Sequence, residues 1–229
     1  MSDATVPQPA DDFRLAPRQF EVIRKMLGTY SGIHFDQVSE RQLSMAVNQR
    51  QQATGLSTGG YVAHIAATAG RRELHLLVEQ LLNHETIFFR NLPHMQALRD
   101  VVLPQLHRTR PHTEPLRLWS AGCSTGEEAY SLAITCCEAL GSPLPRPISI
   151  WATDLSEAAL AKAQQGSYRG RTLSNVAPPI LTRYFERRDD QWVVRKHIRD
   201  MIRFEQLNLL HPFPQAAIGC DIIFCQNVT

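Results

Sequence analysis

The stretch Leu116-Arg-Leu-Trp-Ser120, running through Ala121-Gly-Cys-Ser-Thr-Gly-Glu-Glu128 into an apolar segment that ends at Leu140, constrains the fold more than any other part of the chain. It reads as a short strand, a glycine turn and a helix over about 126–140. Ile148 to Ala152 reads as a second strand, and Ser156 as the cap of a helix reaching about Gln164. Strands alternating with helices argue for βαβ units and a parallel sheet, hence an α/β fold. Further on come a helix over Pro179 to Phe185, a hairpin near Trp192 to Val194, and a strand over Met201 to Gln206. Asp221-Ile-Ile-Phe-Cys225 reads as a last strand, buried on both faces.

The chain before residue 116 follows a different period. Met1 to Ala16 is polar and Pro-containing, and the expectation is a flexible tail over 1–14. Pro17 fits the first turn of a helix carrying Phe20, Ile23, Met26, Leu27 and Tyr30, stopped by Ser31-Gly32. Ser39 can cap a second helix with Leu43, Met45, Ala46 and Val47, ended by Gly55. Thr58 to Ala69 and Arg71 to Asn83 complete a small all-α domain over 15–84. Residues 85–115 then read as a connecting segment with a helix over Met95 to Leu106, ahead of an α/β domain over 116–229.

Composition excludes several classes. Mean hydropathy is −0.24 and no apolar run approaches the roughly 20 residues of a membrane span. The N-terminus lacks a signal-peptide pattern. Five cysteines, with Cys136 and Cys137 adjacent and none in a CxxC, suggest reduced thiols in a cytoplasmic protein. Nine histidines show no metal-ligand spacing, so no metal is expected. Charge is segregated. Residues 41–110 hold eight Lys/Arg against four Asp/Glu, residues 111–168 three against six, and residues 169–203 nine against four. That pattern suits an acidic pocket flanked by basic surfaces, whereas no basic and aromatic stripe points to nucleic acid.

Four groups of residues carry candidate chemistry. Glu127 and Glu128 fall in the first turn of the helix where a dinucleotide enzyme would seat a pyrophosphate. Two carboxylates there repel phosphate and suit a ligand bearing an ammonium and a sulfonium; equally, acids favour helix N-termini through the dipole. Asp154 ends the second strand, where an acid commonly meets ribose hydroxyls; it is otherwise a helix cap, a task for which Ser156 is better placed. Thr86 and Arg90 lie four apart, on one face if their segment is helical, and Arg90 is either a carboxylate clamp or a surface arginine. Asn208-Leu209 and Gln226-Asn227 follow strands, at positions that either line an α/β ligand crevice or form turns.

Four segments taken in order resemble the CheR family of chemotaxis receptor methyltransferases. They are His84-Glu-Thr-Ile-Phe-Phe-Arg90, Trp119 through Ala133, Trp151-Ala-Thr-Asp-Leu155, and Asp221 through Val228. The resemblance implies a Rossmann-like methyltransferase sheet, incomplete at the C-terminus, behind the small all-α domain. It implies transfer of a methyl group from S-adenosylmethionine (SAM) to glutamate side chains of chemoreceptor cytoplasmic helices. It gives Glu128 the SAM ammonium and Asp154 the ribose hydroxyls. It sets Asn208, Leu209, Gln226 and Asn227 on the adenine and ribose side, with Thr86 and Arg90 at the amino-acid end or the incoming glutamate. His84 would belong to the same cofactor site, and Arg90 is the one residue expected to act on the reacting groups. The expected protein is a monomer that does not enter the membrane.

The sequence departs from that pattern in places. His84 stands where the family commonly has Asn, and Gln226 where it has Arg. The segment matching the receptor-docking helix, Asn48-Gln-Arg-Gln-Gln52, carries little positive charge. The chain stops at Thr229, soon after a strand, which reads as a truncated enzyme with an exposed sheet edge. Two alternatives follow: a non-catalytic module that binds SAM or receptors, and a SAM enzyme for another substrate.

Overall fold

The computed structural model describes residues 13–226 and Val228, which form two compact units, one up to Asn83 and the other from His84 to Val228. No helix among the described residues is long and apolar enough to cross a membrane.

The first unit is all helical: α1 (Pro17–Ser31), α2 (Glu40–Thr54), α3 (Thr58–Ala66) and α4 (Arg71–Leu81). Local chemistry sets its boundaries. Ser39 Oγ accepts from the Gln42 amide at 3.2 Å while Gln42 Oε1 accepts from the Ser39 amide at 2.9 Å, a reciprocal capping box. Gly32 and Gly55 close α1 and α2 in the left-handed region. A 3-10 turn, Thr68–Gly70, joins α3 to α4, and a Cβ on Gly70 would lie 1.9 Å from the His64 carbonyl oxygen. Ile23, Leu27, Leu43, Val47, Tyr61, Leu77 and Val78 are buried to within 1%. Several apolar residues that the helical period assigns to the core are not fully there, Phe20 and Tyr30 being half-buried. Met45 is 60% exposed and Met26 is half-buried, because each lies beside the buried stripe of its helix rather than on it.

Beneath this core, Arg50 donates from Nε and Nη2 to the two oxygens of Glu73, both at 2.7 Å, and the Tyr61 hydroxyl donates to Glu73 Oε1 at 3.0 Å. The paired guanidinium and these hydrogen bonds hold the Glu73 carboxyl below its ordinary range against the opposing effect of burial.

The second unit begins with one long helical stretch. It comprises α5 (Leu92–Ala97), a π-helical turn over Leu98–Val102 and α6 (Leu103–Thr109). Pro104 has no amide to give the preceding turn, and the ladder widens just before it. Then follow β1 (Leu116–Ala121), α7 (Glu127–Leu140), β2 (Ile148–Asp154), α8 (Glu157–Gln165), β3 (Ser167–Tyr168), α9 (Pro178–Tyr184), β4 (Phe185–Arg188), β5 (Gln191–Val194), α10 (Lys196–Arg199), β6 (Ile202–Gln206) and β7 (Ile222–Cys225). The main sheet is parallel with order β6-β2-β1-β7, and a small antiparallel sheet has order β3-β5-β4. Leu118 pairs with Ile150 on one side and Ile222 on the other.

Strand alternation gives the main sheet two unlike faces. Leu116, Leu118, Ile148 and Ile150 join Leu132, Ala133 and Ile134 of α7 in the principal core, together with Phe88, Met95, Leu98 and Leu103 from residues 84–109. The other face carries Trp119, Ala121 and Trp151, with the two indoles 4.9 Å apart and Leu207, Leu209, Ala217 and Cys220 against them. The expectation that the last strand is buried on both faces fails. β7 is an edge among the described strands, Ile223 is 53% exposed and Cys225 is exposed, because only the face bearing Ile222 and Phe224 meets the principal core.

Candidate functional site

The carboxyl ends of β1, β2, β6 and β7 lead into the glycine turn, Asp154, Asn208 and Gln226, at the end of the sheet where parallel sheets bind ligands. The turn after β1 is the centre of the arrangement. The amides of Gly122 and Cys123 both donate to the Thr153 carbonyl, at 2.8 and 2.9 Å, pinning the turn to β2. Gly122 has φ +78°, and a Cβ there would meet Val228 Cγ2 at 2.6 Å, so only glycine fits. Gly126, at φ +97°, opens α7 against Ala163 and the Tyr168 hydroxyl.

Glu127 and Glu128 are adjacent but point into different surroundings. Glu127 is 1% exposed and accepts from the Thr125 hydroxyl at 2.7 Å; burial raises its carboxyl above the ordinary range. Glu128 accepts from the Ser120 hydroxyl at 2.6 Å. Burial pushes it up to about 7, opposed only by that hydroxyl, and no Lys or Arg acts on it among the described residues. The neighbouring Cys123 thiol is driven up by burial and then by Asp154, Glu128 and Glu127, which locates three carboxylates around one turn. Three carboxylates with no cation acting on Glu128 among the described residues oppose a phosphate.

Asp154 is not free, contrary to the sequence-based expectation. Its Oδ2 accepts from the Ser124 amide at 2.7 Å and its Oδ1 from the Ser156 amide at 2.9 Å. Ser156 does cap α8, accepting from the Ala159 amide at 3.0 Å, but Asp154 has a second task that sequence spacing does not reveal. It holds Ser124 at φ +49°, and so fixes the turn. Each carboxylate oxygen retains acceptor capacity for a hydroxyl.

His84, Thr86 and Arg90 lie on a non-helical segment, so the condition under which Thr86 and Arg90 would share a helix face is not met. Phe89 adopts φ +52° in a turn, its amide donating to Ser131 Oγ at 2.9 Å. Ser131 in turn donates to the Glu127 carbonyl at 2.6 Å, which ties this segment to the first turn of α7. The Ser124 hydroxyl reaches the His84 carbonyl at 3.5 Å. Arg90 is exposed and donates to the Glu85 carbonyl at 3.2 Å.

Asn208 is buried, with its Oδ1 accepting from the Leu210 amide at 3.0 Å, and Leu209 packs toward the Trp119–Trp151 pair. Gln226 follows β7, and its Nε2 lies 2.9 Å from His94 Nδ1 at the start of α5. Asn227 lies outside the described residues. Sequence reasoning passed over Ser120, Ser131 and His94. Ser120 had a signal, since a serine on the core face of an apolar strand needs a polar partner. Ser131 and His94 find theirs only through tertiary contact.

The donor set fits SAM, a ligand with an ammonium, a sulfonium and ribose hydroxyls: three carboxylates gather around one turn, and its glycines admit close backbone approach.

Comparison with known proteins agrees. Residues 84–229 match the family model described as "CheR methyltransferase, SAM binding domain". Chemotaxis protein methyltransferase 2 of Pseudomonas aeruginosa is 34% identical over 232 residues, spanning 98% of this chain and 80% of the relative. Chemotaxis protein methyltransferase 2 of Vibrio cholerae is 32% identical, spanning 86% and 69%. Chemotaxis protein methyltransferase of Salmonella typhimurium is 35% identical, spanning 79% and 62%. With a glycine turn ringed by carboxylates on a parallel sheet and these matches over most of its length, the chain belongs to the CheR methyltransferase family, and SAM is its cofactor.

Proposed function

We propose that this protein forms methyl esters on glutamate side chains of chemoreceptor cytoplasmic helices. The observation that carries the reading is Glu128: a half-buried carboxylate beside the glycine turn, with one hydroxyl partner and no cation acting on it among the described residues. SAM, when bound, supplies an electrophilic methyl carbon, which a glutamate oxygen accepts as the carbon–sulfur bond breaks and its electron pair stays on sulfur.

Glu128 neutralises the ammonium of the cofactor and is itself driven to ionise. Asp154 accepts ribose hydroxyls on the lone pairs its two amide partners leave. Asn208, Leu209 and Gln226 bound the adenine and ribose side. His84, Thr86 and Arg90 face the amino-acid end or the incoming substrate, and Arg90 holds the substrate carboxylate in line. A glutamate side chain is already ionised at neutral pH, so no general base is needed. What the chain supplies is alignment and exclusion of water.

The test has two readings. Calorimetric titration of S-adenosylhomocysteine into the intact chain is expected to saturate at one equivalent. Incubation with methyl-labelled SAM and receptor fragments is expected to place label in base-labile esters. Binding without esters would overturn receptor methylation and leave a non-catalytic module or another substrate; absence of binding by the folded chain would overturn the site itself.

A further inference from the structure

The helical unit carries a feature that methyl transfer does not use. α1 presents Val22, Lys25, Met26, Thr29 and Tyr30 at i, i+3, i+4, i+7 and i+8, a face about 12 Å long, two turns of helix. The face lies beside the stripe of Ile23 and Leu27 by which α1 enters the core, and it is anchored at one end, where the Tyr30 hydroxyl lies 3.3 Å from Nδ1 of the buried His75. It forms one wall of a groove of about 520 Å³, whose other walls are Ile65 of α3 and Leu74 of α4. No residue of α2 lines it.

The groove's chemistry is specific. Its floor is apolar: Met26, Tyr30, Ile65 and Leu74. Lys25 and Arg71 stand at its rim, the lining has no acidic side chain, and neither cation makes an ion pair among the described residues. Val22, 38% exposed, extends the apolar strip. A two-turn apolar trough fits the i, i+3/i+4, i+7 face of a helix, and methionine adapts to the side chains it receives. Unpaired cations beside it select acidic flanks and oppose basic ones.

We propose that this groove is a docking site for an acidic amphipathic helix of a partner protein, separate from the SAM site. The probe is a fluorescein-labelled, stapled peptide of four turns, with leucines at i, i+3 and i+7 flanked by glutamates. Its control replaces every glutamate by lysine. Anisotropy with the intact chain is expected to saturate for the acidic peptide and to show at least about tenfold weaker binding for the basic one. Lys25→Glu with Arg71→Glu is expected to reverse that order. Both positions are rim sites, and a glutamate at the first residue of α4 suits the helix dipole, so folding is not at stake. Val22→Asp is expected to weaken the acidic peptide without reversing the preference. Equal binding of the two peptides, binding of neither, or an order unchanged in the double variant would overturn the proposal. So would tighter binding to phosphatidylserine vesicles than to the peptide, which would make the groove a lipid surface.

Discussion

Glu73 in the helical unit and Glu128 in the methyltransferase unit are both carboxylates largely withdrawn from water, and they are treated in opposite ways. Glu73 is surrounded by its own partners, two guanidinium nitrogens and a phenol, and is held below its ordinary range. Glu128 has one hydroxyl and is pushed up to about 7. The first is a finished interaction, and its value is structural. The second is unfinished: among the described residues no cation completes it. Burial alone therefore does not distinguish a structural acid from a binding acid; the inventory of partners does.

Breaking the finished pair has the largest expected effect. Glu73→Gln leaves the Arg50 guanidinium with its counter-charge gone, and the helical unit is expected to lose about 3 kcal/mol in denaturant unfolding. Glu128→Gln is expected to do the reverse of harm to the ligand-free fold, whose melting temperature stays level or rises. The same change weakens S-adenosylhomocysteine by about 1.5–3 kcal/mol in calorimetry, the loss of a charge-assisted bond. A melt that falls as far for Glu128→Gln as for Glu73→Gln would erase the comparison.

Acid separates the two further. The folded carboxyl of Glu128 is raised above its unfolded value, so it disfavours folding as pH rises from the ordinary carboxylate range to about 7. Ligand affinity follows the ionised fraction. It is expected to rise about tenfold per pH unit below 7 and to level off above, with a proton released on binding. Glu73 is lowered, so its contribution is present above the unfolded carboxylate range and is lost only as pH falls through its depressed folded value. Calorimetry across pH 5–8 in buffers of differing ionisation heat checks the first behaviour, and acid unfolding of the helical unit the second. The hydroxyl partners give the smallest expected effects. Tyr61→Phe removes one of three bonds to Glu73 and costs the helical unit about 1 kcal/mol. Ser120→Ala lifts Glu128 further and weakens the ligand a few-fold at neutral pH, less at pH 8.

Much of this is legible in the sequence, and where it is not, distance along the chain is the reason. Ser39, Ser156, Gly32 and Gly55 act on residues within a turn of themselves, and the helix ends fall where those residues stand. The βαβ core follows from local periodicity as well. The double duty of Asp154 depends on a turn 30 residues earlier. The bend at Phe89 depends on a serine 42 residues later. The half-open state of Ile223 depends on which strand became its neighbour. Glu128 is legible as an acid in the first turn of a helix; that no cation among the described residues answers it is a property of the folded chain.

The strand order has a consequence for how the molecule is made. Every residue from Ala129 to Cys137 is buried, so α7 has no face suited to water. Its strand β1 has β7 as one of its two neighbours, and the Arg117 amide is bonded to Asp221, 104 residues further on. At the pace of a ribosome that interval is on the order of 10 s. During it, β1 and α7 have left the exit tunnel while one edge of their sheet has yet to be synthesised. The helical unit closes earlier and from nearby contacts, so the burden of chaperones and the risk of aggregation fall on the half of the chain that holds the cofactor.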